Sequence, residues 1–299
     1  MGYFFDSNTK SIHRVVGIPE NARIEESMDL GFAITQAAIL PSHNHVLVDS
    51  PDNPELFVFD LETRSTPLRI NEAPSSVSSI RLSGNGAAAA LYYAQSRKIL
   101  ILGGLPDSPA VRETIDVSTV DLTLSRYAVT NDGTLALLAF SEETQDVVYR
   151  WTRNSGLAYL DASGRVSEIT FMDEHAVLAD FGAGQIRMLR NVRDEATPTV
   201  IGDAREGLSQ PVAISISRQH EILVADAGTG RVVTLDVSGR KLREVQCACV
   251  PTNLSVLRGS IYRLTDRIES PIFVFDSNYG TDRISFIPAL SRAGRDHEE

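Results

Sequence analysis

The sequence predicts an all-β chain, folded as a single β-propeller of four-stranded antiparallel blades, six or seven in number, with seven preferred. Three observations predict it. Six segments repeat one pattern: an apolar strand, a short polar turn, a second apolar strand. Their turns, at Pro41, Ser83, Thr130, Met172, Ser217 and Leu257, are spaced by 42, 47, 42, 45 and 40 residues. Almost nowhere do apolar residues recur at the i, i+3, i+4, i+7 spacing of an amphipathic helix. A repeat of roughly forty residues with only strands inside it marks a propeller blade.

Each inner hairpin is read directly. They are AAILPSHNHVLVDS (37–50), IRLSGNGAAAALYY (80–93), YAVTNDGTLALLAF (127–140), ITFMDEHAVLADF (169–181), ISISRQHEILVAD (214–226) and LSVLRGSIYRLTD (254–266). A second hairpin follows each, beginning near residues 56, 98, 147, 186, 231 and 272. Gly, Asn, Asp and Pro occupy the turns, where special dihedrals are needed. A lone sheet of four strands cannot bury both faces, so similar units in series must cover one another. The first segment, GYFFDSNTKSIHRVVG (2–17), matches a second hairpin with no inner one before it. It leaves six complete units and one orphan pair. Either the ring has six blades with this hairpin laid against an edge or across a face, or it has seven with one incomplete or completed by divergent strands. The propeller is assigned to residues 1–289 and a polar tail to 290–299.

Composition narrows the function. Apolar content of 42% suffices for a core, and charged content of 22% argues against bulk disorder. The net charge of −11, with no cluster of Lys and Arg, argues against nucleic acid and anionic membrane surfaces as partners. No apolar run approaches the roughly 20 residues of a membrane span. No signal peptide is visible at MGYFFDSNTK, so the chain reads as cytosolic or as a mature form with Met added.

Residues 200–240, VIGDAREGLSQPVAISISRQHEILVADAGTGRVVTLDVSGR, resemble an NHL-type repeat. The matching features are a loop, a Pro-led strand, a strand ending in Ala-Asp, a Gly turn and an outer strand. Residues 15–50 resemble a degenerate NHL connection without its Gly-Asp-Gly core. The wider pattern is similar to propellers of uncharacterised secreted acidobacterial proteins. That resemblance implies a periplasmic or extracellular protein, with a cytosolic one as the alternative. NHL propellers mostly bind peptides, proteins or RNA, and a few relatives are lyases or lactonases. The resemblance thus implies a scaffold and no particular reaction.

Loops from second to third strands usually carry a propeller's ligand face. Here Asp49, Asp180, Asp226 and Asp266 each close a second strand, with Arg97 and Arg231 in the same set of loops. These six are the candidate ligand-face residues. Converging carboxylates could hold Ca²⁺ through oxygen. An Asp at a strand end also accepts backbone N–H groups of the next turn, which explains the same residue in four units. His43, with His45 beside it, His175 and His220 fall in turns on the opposite face, without a third ligand at zinc spacing. Cys247 and Cys249 read as structural, with a local disulfide or thiol chemistry as alternatives. GAGQ and GTGR lack the Lys-Ser/Thr of a phosphate loop, and no G-x-S-x-G or H-E-x-x-H occurs. Tyr92, Tyr93, Tyr149, Trp151, Tyr159 and Tyr262 are expected to fill space between blades. The expected function is non-catalytic binding of a protein, peptide or glycan on one face. The alternative is a hydrolase or lactonase with a divalent cation at the channel mouth. A third reading is a scaffold whose incomplete unit accepts a strand from another chain.

Overall fold

Period-two alternation places successive side chains on opposite faces of a strand. In the second strands of these units both sets are apolar, so both faces must be covered. The computed structural model shows how. It describes residues 2–290 apart from 42, 43, 195, 267, 269 and 279–281.

Seven antiparallel sheets follow one another in sequence. Blade 1 holds β1 (Gly2–Asp6), β2 (Ser11–Val16) and β3 (Arg23–Ser27). Blade 2 holds β4 (Gln36–Ile39), β5 (His45–Asp49), β6 (Glu55–Asp60) and β7 (Leu68–Pro74). Blade 3 holds β8 (Ser79–Leu82), β9 (Ala88–Tyr93), β10 (Lys98–Gly103) and β11 (Ala110–Asp116). Blade 4 holds β12 (Thr123–Val129), β13 (Leu135–Ser141), β14 (Asp146–Thr152) and β15 (Gly156–Ser163). Blade 5 holds β16 (Val166–Met172), β17 (His175–Asp180), β18 (Gln185–Arg190) and β19 (Thr197–Gly202). Blade 6 holds β20 (Pro211–Ile216), β21 (Ile222–Asp226), β22 (Arg231–Leu235) and β23 (Lys241–Gln246). Blade 7 holds β24 (Ser255–Arg258), β25 (Ile261–Arg263), β26 (Ile272–Asp276) and β27 (Arg283–Ile287). Helical structure among the described residues amounts to two single 3₁₀ turns, at Pro19–Asn21 and Ala204–Glu206.

The seven-bladed expectation holds, and the incomplete unit is the first. Its architecture departs from the expected orphan outer pair. β1 is the innermost strand of its blade and packs between β4 and β24. A Cβ on Gly2 would lie 2.1 Å from the Leu257 carbonyl oxygen, which shows how closely β1 approaches β24. β3 adds a third strand on the far side of β2.

β13 shows the packing logic. Leu135, Leu137 and Ala139 enter the cluster shared with blade 5. Ala136, Leu138 and Phe140 enter the cluster shared with blade 3. β17, β21, β9 and β5 divide their side chains the same way. Among the described residues, an apolar cluster fills every one of the seven interfaces between neighbouring blades, so the ring is closed. Among the described residues no strand from one end of the chain completes a blade begun by the other; blades 7 and 1 meet through an apolar cluster. Of the expected space-filling aromatics, Tyr92, Tyr149 and Trp151 pack between blades 3 and 4, and Tyr262 between blades 6 and 7. Tyr93 packs toward blade 2, whereas Tyr159 is 61% exposed.

Candidate functional site

The strand-end Asp residues organise the loops of one face. Asp180 accepts from the Gly164 and Arg165 backbone N–H groups at 2.7 and 2.9 Å, from the Ser163 hydroxyl at 2.7 Å and from Ala183 N–H at 2.9 Å. Burial pushes its carboxyl up, but these donors together outweigh it and hold the pKa below 3.8. Asp226 accepts from Ser209 and Gln210 N–H at 2.8 and 2.9 Å, and from Thr229. In both blades the carboxylate fixes the loop that leads into its own first strand. Asp49 instead accepts from Ser76 and Val77 N–H, in the loop leading to the next blade. Asp146 does likewise with Val166 N–H. Asp266 pairs with Arg263 at 2.9 Å and accepts from Asn253 Nδ2 at 2.7 Å.

The two candidate arginines are also engaged. Arg97 donates to the carbonyls of Val117, Val120 and Leu122. Arg231 donates to Gln246 Oε1 at 2.9 Å and meets Glu244 at 3.4 Å. The six candidates thus lie on blades 2, 3, 5, 6 and 7, each engaged with its own neighbouring loops or strands.

The loops they hold form a cleft of about 450 Å³ over blades 4 to 6 and the loop leading into blade 7. Phe181, directly after Asp180, and Val250 stand at it, 39% and 64% exposed. Val212, Ala227 and Pro251 continue the apolar lining, and Arg126 and Arg165 supply its charge. Arg126 Nε donates to the Ser167 carbonyl at 2.6 Å, and its Nη1 to the Ser125 carbonyl at 2.7 Å. Arg165 ties down the neighbouring loop, through the carbonyls of Glu142 and Glu143 and the Asp146 carboxylate at 3.1 Å. Cys247 and Cys249 form a disulfide, with Cα atoms 5.0 Å apart, immediately before Val250. Of the alternatives open for this pair, the local disulfide is the one present. No sequence motif singles out the cleft residues Arg126, Arg165, Phe181 and Val250. The visible signal was a Phe and a Val placed in loops, just outside any strand.

The central channel, about 330 Å³, is lined by the first strands of blades 2 to 6 and by residues 253–255 of blade 7. Most of its walls are Ala, Ile, Leu, Thr and Ser. Arg81 reaches across to Glu168 at 3.4 Å. The Tyr127 hydroxyl meets Ser79 Oγ at 2.8 Å, and burial pushes its pKa up to about 12. Among the described residues no group of three His, Cys, Asp or Glu side chains stands where a metal ion could be held. His45 lies 3.7 Å from Asp60, His220 lies 3.7 Å from Asp173, and His175 accepts from Asn191 N–H. His43 and the tail beyond 290 lie outside the described residues. No helix among the described residues is long and apolar enough to cross a membrane.

No family model matches the chain, and no curated protein is significantly similar to it. Solved structures do resemble it. Virginiamycin B lyase from Staphylococcus aureus is 13% identical, with 86% of this chain and 84% of that one covered at a TM-score of 0.59. A chain of Kuenenia stuttgartiensis hydrazine synthase is 11% identical over 96% and 92%, with a TM-score of 0.58. A chain of the nidogen/laminin complex is 15% identical over 82% and 92%, with a TM-score of 0.51. At such identities the likeness concerns the fold, and with the seven sheets above it identifies the chain as a seven-bladed β-propeller.

Proposed function

We propose that the chain is a non-catalytic binding propeller that holds an extended segment of another protein in the cleft between Phe181 and Val250. The observation that carries this reading is the cleft's chemistry. Two exposed apolar side chains flank it; of its two cations Arg165 is paired with Asp146, and Arg126 meets only carbonyl oxygens, which leaves its charge unneutralised. The chain as a whole carries −11. Such a cleft suits a segment in which an apolar side chain sits beside a carboxylate, the apolar group shielding the ion pair from water. Fixed loops favour tight binding, because less ordering remains to be done on association. The nidogen/laminin complex contains a propeller of this fold in company with a protein, which supports the class. The Cys247–Cys249 disulfide supports an oxidising compartment, periplasmic or extracellular.

A peptide array that samples apolar residues next to Asp or Glu tests this. Bound peptides should share that pairing, and Phe181→Asp should lower affinity roughly tenfold or more. Array binding that is indifferent to acidic residues, or unchanged by Phe181→Asp, rejects the reading.

A further inference from the structure

A larger cleft, about 740 Å³, opens on the opposite face, where first strands turn into second strands and third into fourth. Three glycines line it: Gly103 and Gly104 from blade 3 and Gly133 from blade 4. Three arginines line it as well, Arg112 from blade 3, Arg153 from blade 4 and Arg193 from blade 5. Two of these cations are neutralised. Arg153 pairs with Glu113 across the blade 3–4 boundary. Arg193 pairs with Asp132 at 2.7 Å and donates to Thr134 Oγ1 at 2.9 Å. Asp132 is further fixed by the Thr130 hydroxyl at 2.6 Å and by Thr134. The walls are therefore braced from three blades.

Arg112 is the exception. Among the described residues no hydrogen bond or ion pair engages its guanidinium. A Cβ on Gly103 would fall 3.0 Å from Arg112 Cγ and 3.3 Å from its Nε, so the bare glycine gives the exposed arginine room to lie across it. Around it stand Asn131, Asn154, Thr134 and Thr152, and more of the lining is polar than apolar.

We propose that this cleft binds a sugar acid, a hydroxylated ring bearing one carboxylate, with the carboxylate on Arg112. The charge count supports it: two internal pairs leave a single free cation. Amide and hydroxyl side chains match ring hydroxyls, and an arginine fork matches a carboxylate. The volume lies in the range of small-ligand sites and accommodates more than one ring.

Titration calorimetry with cellobiouronate, cellobiose and glutarate tests the proposal. The first two differ by one carboxylate, and glutarate has carboxylates without hydroxyls. Cellobiouronate should bind at least about tenfold more tightly than either. Arg112→Ala should weaken it roughly ten- to a hundredfold, as loss of a charge-assisted bidentate contact does, at unchanged melting temperature. Arg112→Lys should restore only part, since a point charge replaces a fork. Equal binding of cellobiose, equal binding of glutarate, no binding of cellobiouronate, or full binding by Arg112→Ala would each overturn it. Phe181→Asp, on the other face, should leave this titration unchanged.

Discussion

At the residue scale, Asp180 shows how one carboxylate fixes a loop. It is 2% exposed and accepts from three backbone N–H groups and a hydroxyl. Asp180→Asn should destabilise the protein by about 2 kcal/mol, because a neutral amide replaces a charged acceptor and brings two donors of its own. The pH dependence has a definite sign. The folded-state pKa lies below 3.8, so the stability Asp180 contributes is complete above 3.8 and is lost as pH falls below it. Urea unfolding of both proteins at pH 7 and pH 3 should show the gap narrowing at the lower pH. A constant gap would mean that the charge is irrelevant. The position of such Asp residues was legible in the sequence, because a repeat aligns them. Their partners were not, since Asp180 and Asp226 hold the lead-in to their own blades and Asp49 the lead-in to the next. The cleft was hidden for a stronger reason: Arg126, Phe181 and Val250 come from separate repeats, and no local pattern links them.

At the scale of the element, β13 is apolar at six consecutive positions because it is covered on both faces. Phe140→Ala should cost about 3–5 kcal/mol, since the neighbouring blades cannot close over the space left. Val237, 46% exposed in a turn, should tolerate Ala with a change of about 0.5 kcal/mol or less. Denaturant midpoints with unchanged m-values would establish both. Strands of this kind were legible throughout, because alternation and turn residues are local signals. β3 was not. Its sequence, RIEES, offers one apolar residue, Ile24, and the strand is held by its pairing with β2. A strand that pairs without burying alternate side chains leaves no period to find.

At the scale of the whole molecule, the joint between blades 7 and 1 differs from the others. Phe4, Val15 and Ile24 meet Leu257, Ile272, Val274 and Ile287 there, and Arg263 lies over the Phe4 ring at 4.9 Å. Arg283 reaches Glu20 from the outermost strand. No peptide link connects the two blades directly, unlike every other neighbouring pair. Phe4→Ala should therefore open the ring at this joint first. Hydrogen exchange should quicken in β1 and β25 before it changes in β13, and a uniform increase across all blades would refute that. Among the described residues each blade is also made of one continuous stretch of chain, with no strand drawn from the other end. During synthesis the blades can consequently form in order as they leave the ribosome, each docking on the one before. Only the last handshake, blade 7 onto blade 1, must wait until Ile287 has emerged.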